Sequence, residues 1–523
     1  MSFGNVPMVS LLIWIVMTWS HAASVAARIG QEKGAWGWVQ GQSPVTGKGD
    51  CEVRYLGSGQ ERRGHEGSDG CADGKCAVAH VPEKIFKSLT TVDVHKFGAV
   101  GDGVTDDREA FVHAIRFLAE NGGGTLAGGG RRYVYRIDSM IVIKTADNNN
   151  WPGAADVVTS RPLCIDMQWA RMIGDHRFAF VGDSGIDGDW SMAIRNCYFI
   201  NARLGDDNLA GTEKTRGPLF YFAEDCGAAN VIKKGISNTG FNLSMCRRCF
   251  LKNIENYRGK DCGNGSIGFL LLHCYNCVLE NCHVREGPWY HGIQVKGGYD
   301  NRVTDCSCKD WRDGRNINYQ RHSAQSCFRD RGDAPWGRSR SGGTYPYADG
   351  DWNIPDERRA SHGTIFSGCR CENVEAACFE VGEAIDTKIR NFDVKDATWG
   401  ISASKCAPGG GREKGLEISN GRMLRITKIP SSYALAGQMG IKIVGKASEA
   451  GEAYPGVKVS NVIIDTCTGY CIGGYHLEGP VIKNVVVRSA GEKGRQAYGV
   501  LLDHCTNEQV IEFQGVRDDR VTP

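Results

Sequence analysis

The chain has almost no net charge, because 62 lysine and arginine residues are balanced by 60 aspartate and glutamate residues. A formal charge of +2 gives no support for nucleic-acid binding or for a strongly cationic surface. Proline is scarce at 15 residues whereas glycine is abundant at 69, which favours turn-rich β structure over disorder. Long apolar runs are also lacking, since no segment after residue 19 could span a bilayer.

One shorter apolar run covers residues 6–19. It is too short for a typical transmembrane helix, and small residues suited to cleavage follow it at Ala22, Ala23 and Ala27. We therefore interpret residues 1–27 as an export signal, which predicts a secreted or periplasmic protein without membrane contact after cleavage. The segment before the run has no lysine or arginine, which leaves an uncleaved anchor as the alternative.

The 22 cysteines would be able to form disulfides in an exported chain. Cys51, Cys71 and Cys76 lie in the polar, glycine-rich segment 28–90 and have the greatest need of them. Their pairing does not follow from the sequence.

Two further cysteine pairs, Cys246/Cys249 and Cys274/Cys277, have a spacing that resembles a zinc site. The two pairs repeat at an interval that also suits one coil of a solenoid. We expect them to be stacked equivalents, as a cysteine ladder or as inter-coil disulfides, with zinc as the alternative.

A weak internal repeat begins each time with a small or polar residue, followed by alternating apolar positions. Its intervals of about 22 to 24 residues, with longer gaps for inserted loops, are those of solenoid coils with one such strand per coil. Its members begin at Gly268, Gly292, Asn316, Cys378, Gly400, Gly440 and Gly499.

A second series of turn residues, mostly asparagine, falls between members of the first. Asparagine tolerates the left-handed backbone conformation, and its amide can bond to its neighbour in the next coil. A β-sandwich or propeller would also fit the spacing, but hairpin dipeptides are missing from the strand junctions. The series consists of Asn253, Asn281, Asp305, Gly368, Asn391, Asn420, Asn461 and Asn484.

The segment from Thr91 to Ile137 predicts a strand, a glycine turn, an amphipathic helix and a second strand. Thr105 is placed to cap a helix that starts at Asp106, and the glycines after Asn121 end it. We expect one face of this helix to cover the end of a stacked sheet core, with Ala110, Phe111, Ala114, Ile115 and Leu118 buried.

The same segment resembles the opening of the pectate-lyase superfamily proteins that are grouped with rhamnogalacturonases and epimerases. The matching motifs are Phe97-Gly98, the GDGxTDD turn from Gly101 to Asp107, and the GGGT strand from Gly122 to Thr125. The chain departs from the family pattern after Leu126, where glycines replace an aromatic, proline-rich strand.

This resemblance implies an all-β fold, a single-stranded right-handed parallel β-helix of the pectin-lyase-like type with an N-terminal capping α-helix. We expect the coil to occupy residues 91–515 and to be followed by a tail at 516–523. The carboxylates of Asp102, Asp106 and Asp107 could bind Ca²⁺, although carboxylates at a helix start are ordinary caps. Other cofactors are not implied.

Alternation along the first series places Ile293, Val295, Phe379, Val381, Ile401 and Ala403 inside the coil. The outward residues would then form a groove of amides, hydroxyls and lysines that suits a polyhydroxylated polymer. We predict that this groove binds a polysaccharide through Gln294, Asn318, Gln320, Ser402 and Lys442.

The largest gap in the series, from Arg321 to Ser361, should form a loop that overhangs the groove. Its arginines can grip carboxylates, and its aromatic rings can stack on sugars. Trp336, Tyr347 and Trp352 are therefore predicted substrate contacts, and a surface loop without a function is the alternative.

Tyr290-His291-Gly292-Ile293 resembles the His-Gly that precedes an active-site strand in polygalacturonases, with Lys296 near their substrate-binding cation. We predict an enzyme that degrades an acidic, uronate-containing polysaccharide, by β-elimination in preference to hydrolysis. For β-elimination, Lys296 would be the base, helped by His291 and Arg321. For hydrolysis, the first alternative, Glu380 would need a second carboxylate. A glycan-binding or adhesive protein without catalysis is the second alternative, and we expect a monomer or a homotrimer.

Overall fold

A computed structural model of the protein describes residues 81–146, 154–174, 178–182, 190–205, 215–235, 239–257, 267–286, 291–311, 326–332, 361–382, 384–406, 415–426, 440–445, 454–467, 470–490 and 499–514. These residues belong to one compact unit, His65–Pro523. The expected export signal and the cysteines at 51, 71 and 76 lie outside the described residues. Within the described ranges, no helix has both the length and the apolar character to cross a membrane.

Helices are few and lie near the N-terminal end of the described chain. They are α1 (Glu83–Phe86), α2 (Arg108–Glu120) and two 3₁₀ turns, Val94–Phe97 and Trp190–Met192. Helix α2 is the expected amphipathic helix: the five residues predicted to be buried are buried, and so is Val112. It packs against the strands Thr90–Asp93 and Gly124–Ala127 of the first coil, which confirms the capping helix.

The predicted start of α2 is wrong by two residues. Thr105 lies in the strand Asp102–Asp106, and its hydroxyl donates to Asp102 Oδ2 at 3.0 Å. The backbone amide of Arg108 instead donates a hydrogen bond to Asp106 Oδ1 at 3.1 Å. An aspartate one position nearer to the helix therefore supplies the acceptor that Thr105 was expected to supply.

Asp107 turns away from the helix that follows it. Its carboxylate accepts the amides of Val100 at 2.6 Å and Gly101 at 3.2 Å, which closes the glycine turn. Asp102 likewise accepts the amides of Val104 and Thr105. These two carboxylates thus bond to backbone amides of the turn, and the described residues contain no group of metal ligands here.

The remaining described structure is almost entirely β-strand. In the N-terminal half the strands are Thr90–Asp93, Asp102–Asp106, Gly124–Ala127, Val134–Arg136, Ile141–Lys144, Val157–Val158, Leu163–Asp166, Arg171–Ile173, Phe178–Val181, Ile194–Arg195, Cys197–Leu204, Leu219–Tyr221, Ala223–Glu224, Gly227–Lys234, Thr239–Ser244 and Phe250–Tyr257.

In the C-terminal half they are Ile267–Tyr275, Val278–Arg285, His291–Tyr299, Arg302–Thr304, Ser307–Trp311, Ser326–Arg331, Ser361–His362, Ile365–Ser367, Arg370–Gly382, Ala384–Ile385, Thr387–Arg390, Asp393–Cys406, Leu416–Ile426, Ile441–Gly445, Tyr454–Pro455, Val457–Cys467, Ile472–Tyr475, Leu477–Glu478, Val481–Ala490, Val500–Asp503 and Gln509–Gln514.

These strands wind into a right-handed parallel β-helix, as expected. Thirty-three of them join one continuous sheet, in which each strand pairs in parallel with its equivalents in the coils before and after. We call one wall of this coil the site sheet. Its strands in order are Phe178–Val181, Leu219–Tyr221, Thr239–Ser244, Ile267–Tyr275, His291–Tyr299, Ser326–Arg331, the later parts of Arg370–Gly382 and Asp393–Cys406, Ile441–Gly445, Ile472–Tyr475 and Val500–Asp503.

The asparagine series forms one column of turns, as predicted. All eight residues of the series have a positive φ between 52° and 67°. The amide of Asn281 donates to Asn253 at 2.9 Å, and Asn484 donates to Asn461 at 2.8 Å. Gly368 is the one member of the series without a side chain. A Cβ at this position would lie 2.1 Å from the carboxylate of Asp305, and glycine avoids this clash.

One predicted strand of the site sheet is wrong. The position between His291–Tyr299 and the later part of Arg370–Gly382 is occupied by Ser326–Arg331, which pairs with both. The segment that begins at Asn316, which was expected at this position, lies outside the described residues. Ser326–Arg331 was hidden because Asp330 takes an inward position, where the neighbouring strands have Val295 and Val381. The strand Ile472–Tyr475 was also missed.

The two cysteine pairs are stacked equivalents in consecutive coils, as expected. All four side chains are buried free thiols, and Cys277 Sγ accepts the amide of Cys249 at 3.4 Å. The pairs thus form a ladder without disulfides. Cys467 and Cys471 are joined by a disulfide.

The buried thiols are expected to resist alkylation in the folded protein. Burial holds the pKa of the Cys274 and Cys277 thiols well above the usual value, so reactive thiolate is scarce. Peptide mapping after iodoacetamide treatment should find both modified only when guanidinium is present. Cys505, which is half-buried, serves as the more accessible comparison. Modification of Cys274 in the native protein at the rate of Cys505 would contradict the buried ladder.

Candidate functional site

Outward side chains of the site sheet form a column that runs along the coil axis. Gln294 pairs in register with Arg329, Arg329 with Glu380, Glu380 with Ser402, and Ser402 with Lys442. Four of these five residues were predicted to share the groove. Arg329 takes the place that was expected for Asn318.

A second outward column lies two residues further along the same strands. Lys296 pairs in register with Arg331, where Gln320 was expected, and Arg331 pairs with Gly382. Both cationic side chains are half-buried and have interaction partners. The six residues predicted to point inward are all buried, so alternation along the strands is confirmed. They are Ile293, Val295, Phe379, Val381, Ile401 and Ala403.

The two columns meet a hydrogen-bonded cluster that we call the buried cluster: His291, Ser326, Arg329 and Glu380. Arg329 Nη1 contacts His291 Nε2, and because a guanidinium only donates, this nitrogen is the acceptor. The ring proton then lies on Nδ1, which donates to Ser326 Oγ at 3.0 Å. The Ser326 hydroxyl donates in turn to the Glu380 carboxylate.

Arg329 closes this cluster with an ion pair, since its Nη2 lies 3.2 Å from Glu380 Oε1. The Arg329 side chain is 4% exposed and that of Glu380 is 13% exposed. Two buried atoms of the pair, Arg329 Nε and Glu380 Oε2, have no hydrogen-bond partner among the described residues. The ion pair therefore leaves one donor and one acceptor of the buried cluster unused.

Burial shifts both titrating members of the cluster toward their neutral forms. It raises the pKa of Glu380, although Arg329, Ser326 and Arg331 act in the opposite direction. Burial, followed by the charges of Arg329 and Arg331, holds the pKa of His291 well below its usual value. His291 is therefore neutral, and both of its nitrogens are engaged within the cluster.

This arrangement leaves His291 without a nitrogen for a substrate. Its side chain is fully buried, and its bonds hold Ser326 and Arg329 in place. His291 thus orients its neighbours, whereas Lys296, Ser402 and Lys442 keep partial exposure on the outer surface of the sheet. Gln294 is buried beside the cluster.

Several predicted site residues lie outside the described ranges: Arg321, Asn318, Gln320, Trp336, Tyr347 and Trp352. The site residues that sequence reasoning missed are Ser326, Arg329 and Arg331, because they were assigned to the overhanging loop. A small residue followed by an inward aromatic, as in Ser326-Cys327-Phe328, is the signal that would have found this strand.

No protein-family model and no curated protein matches the chain. Among solved structures, the A-module of mannuronan C-5 epimerase AlgE6 from Azotobacter vinelandii matches with a TM-score of 0.51 and 13% identity, over 82% of this chain and 100% of that one. A mutant tailspike protein of E. coli bacteriophage HK620 has a TM-score of 0.42 and 13% identity, and the match covers 80% of this chain and 70% of that one. The surface adhesin PfbA of Streptococcus pneumoniae has a TM-score of 0.38 and 14% identity, and the match covers 81% of this chain and 91% of that one. Such low identities bear on the fold alone, and the first of these structures agrees with the β-helix.

Proposed function

We propose that the chain is a carbohydrate-active protein of the pectate-lyase superfamily, which binds an acidic, uronate-containing polysaccharide along the site sheet and cleaves it by β-elimination. The observation that carries this proposal is the charge of the two outward columns. The two columns contain four cationic side chains and one carboxylate: Lys296, Arg329, Arg331 and Lys442, and Glu380. An excess of cations in a row along the coil axis favours an anionic polymer.

Elimination begins when a base removes the proton next to the uronate carboxylate. A cation that neutralises the carboxylate makes this proton more acidic. Arg331 lies beside Lys296 on the adjacent strand, so Arg331 would hold the carboxylate while Lys296 takes the proton. The electrons of the broken C–H bond then form a carbon–carbon double bond to the neighbouring carbon, whose bond to the glycosidic oxygen breaks. The oxygen leaves with that electron pair and takes up a proton from water, which gives the other product its hydroxyl end.

Within this proposal the buried cluster has a positioning role. His291, which is hydrogen-bonded to Ser326, contacts Arg329 and holds it beside Glu380 beneath the outer surface of the sheet. The predicted roles of Gln294, Ser402 and Lys442 as substrate contacts are compatible with their places in the column. Arg321 and the aromatic residues of the loop stay predictions.

Hydrolysis has less support from the described residues. An inverting or retaining glycosidase needs two carboxylates, and Glu380 is the one described carboxylate at the outward positions from His291–Tyr299 to Ile441–Gly445. Binding without catalysis is the stronger rival, because Glu380 and Arg329 neutralise each other.

The decisive experiment incubates the full chain with polygalacturonate, alginate and hyaluronate. Ultraviolet absorbance from unsaturated product would support elimination, and new reducing ends without that absorbance would replace it with hydrolysis. Retained binding with neither product would leave a glycan-binding protein, and absence of binding would overturn the whole proposal. The Lys296→Ala variant should lose about a hundredfold in rate as the base is removed. Lys458→Ala, an exposed lysine on another wall, is the matched control.

A further inference from the structure

Asp330 is a carboxylate inside the coil, directly behind the candidate site. It stands in register with Val295 on one side and Val381 on the other, and it is fully buried. Its chain neighbours Arg329 and Arg331 belong to the outward columns. A buried carboxylate is costly unless hydrogen bonds compensate it, so its partners show what it holds.

The partners of Asp330 are hydroxyl groups from the next wall of the coil. Thr364 Oγ1 donates to Asp330 Oδ1 at 3.2 Å, and Thr387 Oγ1 donates to Oδ2 at 2.6 Å. Ser361 also donates to this carboxylate, and its Oγ lies 3.0 Å from Thr364 Oγ1. One side chain of the strand Ser326–Arg331 is thereby tied across the core to two consecutive coils.

The charged groups around Asp330 are few. His362, next to Ser361, acts on it with a positive charge when protonated. The strands on either side turn only Val295 and Val381 toward it, while Lys296 and Glu380 face outward. From the next wall, Thr387 contributes a hydroxyl and its neighbour Lys388 is half-buried. Burial raises the pKa of Asp330 to about 6, and the hydroxyls and His362 act in the opposite direction.

We propose that Asp330 is a positioning residue that fastens the strand carrying Arg329 and Arg331, and that this strand is held more firmly at mildly acidic pH than at neutral pH. The part that concerns substrate rests on the proposed function. The part that concerns the strand does not, because it depends only on contacts within the coil.

The direction follows from proton linkage. When the strand is seated, Asp330 has a pKa of about 6, whereas exposure to water would return it toward the ordinary value of 3.8. Seating therefore takes up a proton, and the seated state loses stability as pH rises through about 6. Between pH 5 and pH 7 the fraction of molecules with this strand opened should rise about tenfold.

Hydrogen exchange on the full chain tests this inference. Peptides that cover residues 326–331 should exchange about tenfold faster at pH 7 than at pH 5 after correction for the intrinsic rate. In Asp330→Asn, which cannot ionise, the ratio should fall to near one. Asp393→Asn removes an exposed carboxylate on another wall and should leave the wild-type ratio unchanged.

Each outcome decides the question. If the wild-type ratio is near one, or if Asp330→Asn keeps the tenfold ratio, the inference is overturned. If exchange in Asp330→Asn is faster than in the wild type by the same factor at pH 5 and at pH 7, the carboxylate is a purely structural tether, and the pH dependence is overturned. Added polygalacturonate should slow exchange of the same peptides if it binds Arg329 and Arg331. Should neither polygalacturonate nor alginate nor hyaluronate bind, the proposed function fails while the exchange ratio still tests Asp330.

Discussion

Replacement of Arg329 by methionine is expected to destabilise the protein by about 3–5 kcal/mol, the usual loss when one partner of a buried ion pair is removed. Glu380 would keep the Ser326 hydroxyl but lose its only described cationic contact at 3.2 Å. His291 Nε2 would lose its donor as well. Urea unfolding followed by tryptophan fluorescence should show a lower midpoint for Arg329→Met than for the wild type.

This destabilisation should depend on pH in a defined direction. Without Arg329, the pKa of Glu380 is expected to rise further above its unfolded value. Burial, the largest effect, raises this pKa, and the positive charge of Arg329 is the largest effect that lowers it. The folded state then takes up a proton, so the defect should be larger at pH 8 than at pH 5. A defect that grows on acidification would contradict this assignment.

Two further variants separate charge from packing. Adding Glu380→Gln to Arg329→Met removes the unpaired charge and should recover part of the lost stability. Arg331→Met changes a half-buried arginine on the same strand and should cost about 1 kcal/mol or less, as exposed pairs do. If the double variant is no more stable than Arg329→Met alone, the buried ion pair is not the origin of the effect.

The fold could be predicted because its signals are local. Asn253, Asn281, Asn461 and their equivalents take left-handed φ values in turns that repeat once per coil, and this preference is a property of the residue itself. The buried face of α2 was equally visible in residue spacing. The helix start was missed by two residues because aspartate and threonine are both good caps, and only the backbone path decides between Asp106 and Thr105.

The site could be predicted only in part, because it depends on which segment fills a given place in the sheet. Gln294, Glu380, Ser402 and Lys442 were placed together since their strands alternate regularly. Arg329 and Arg331 were not, because insertions of unknown length surround their strand. The inward Asp330 also breaks the apolar alternation that identifies a strand, and its compensation by Thr364 and Thr387 comes from residues more than thirty positions away.

Behind the buried cluster, a group of phenylalanine rings supports the two strands that carry it. Phe328 and Phe379 stack with ring centroids 4.9 Å apart at an interplanar angle of 18°. Phe366 meets both rings edge to face, and Phe392 meets Phe379 at 5.8 Å. Phe379 thus touches the other three, and it directly precedes Glu380 in the chain.

Phe379→Ala is therefore expected to cost about 3–5 kcal/mol, because a buried ring is lost at a place where three neighbours cannot all move inward. Phe379→Leu keeps most of the apolar volume and should cost about 1.5 kcal/mol or less. The urea midpoint measures both losses. Since Phe379 and Phe328 seat the strands of Glu380 and Arg329, exchange of residues 326–331 should accelerate in the alanine variant and stay close to wild type in the leucine variant. Equal midpoints for the two variants would show that the ring stack does not support the site.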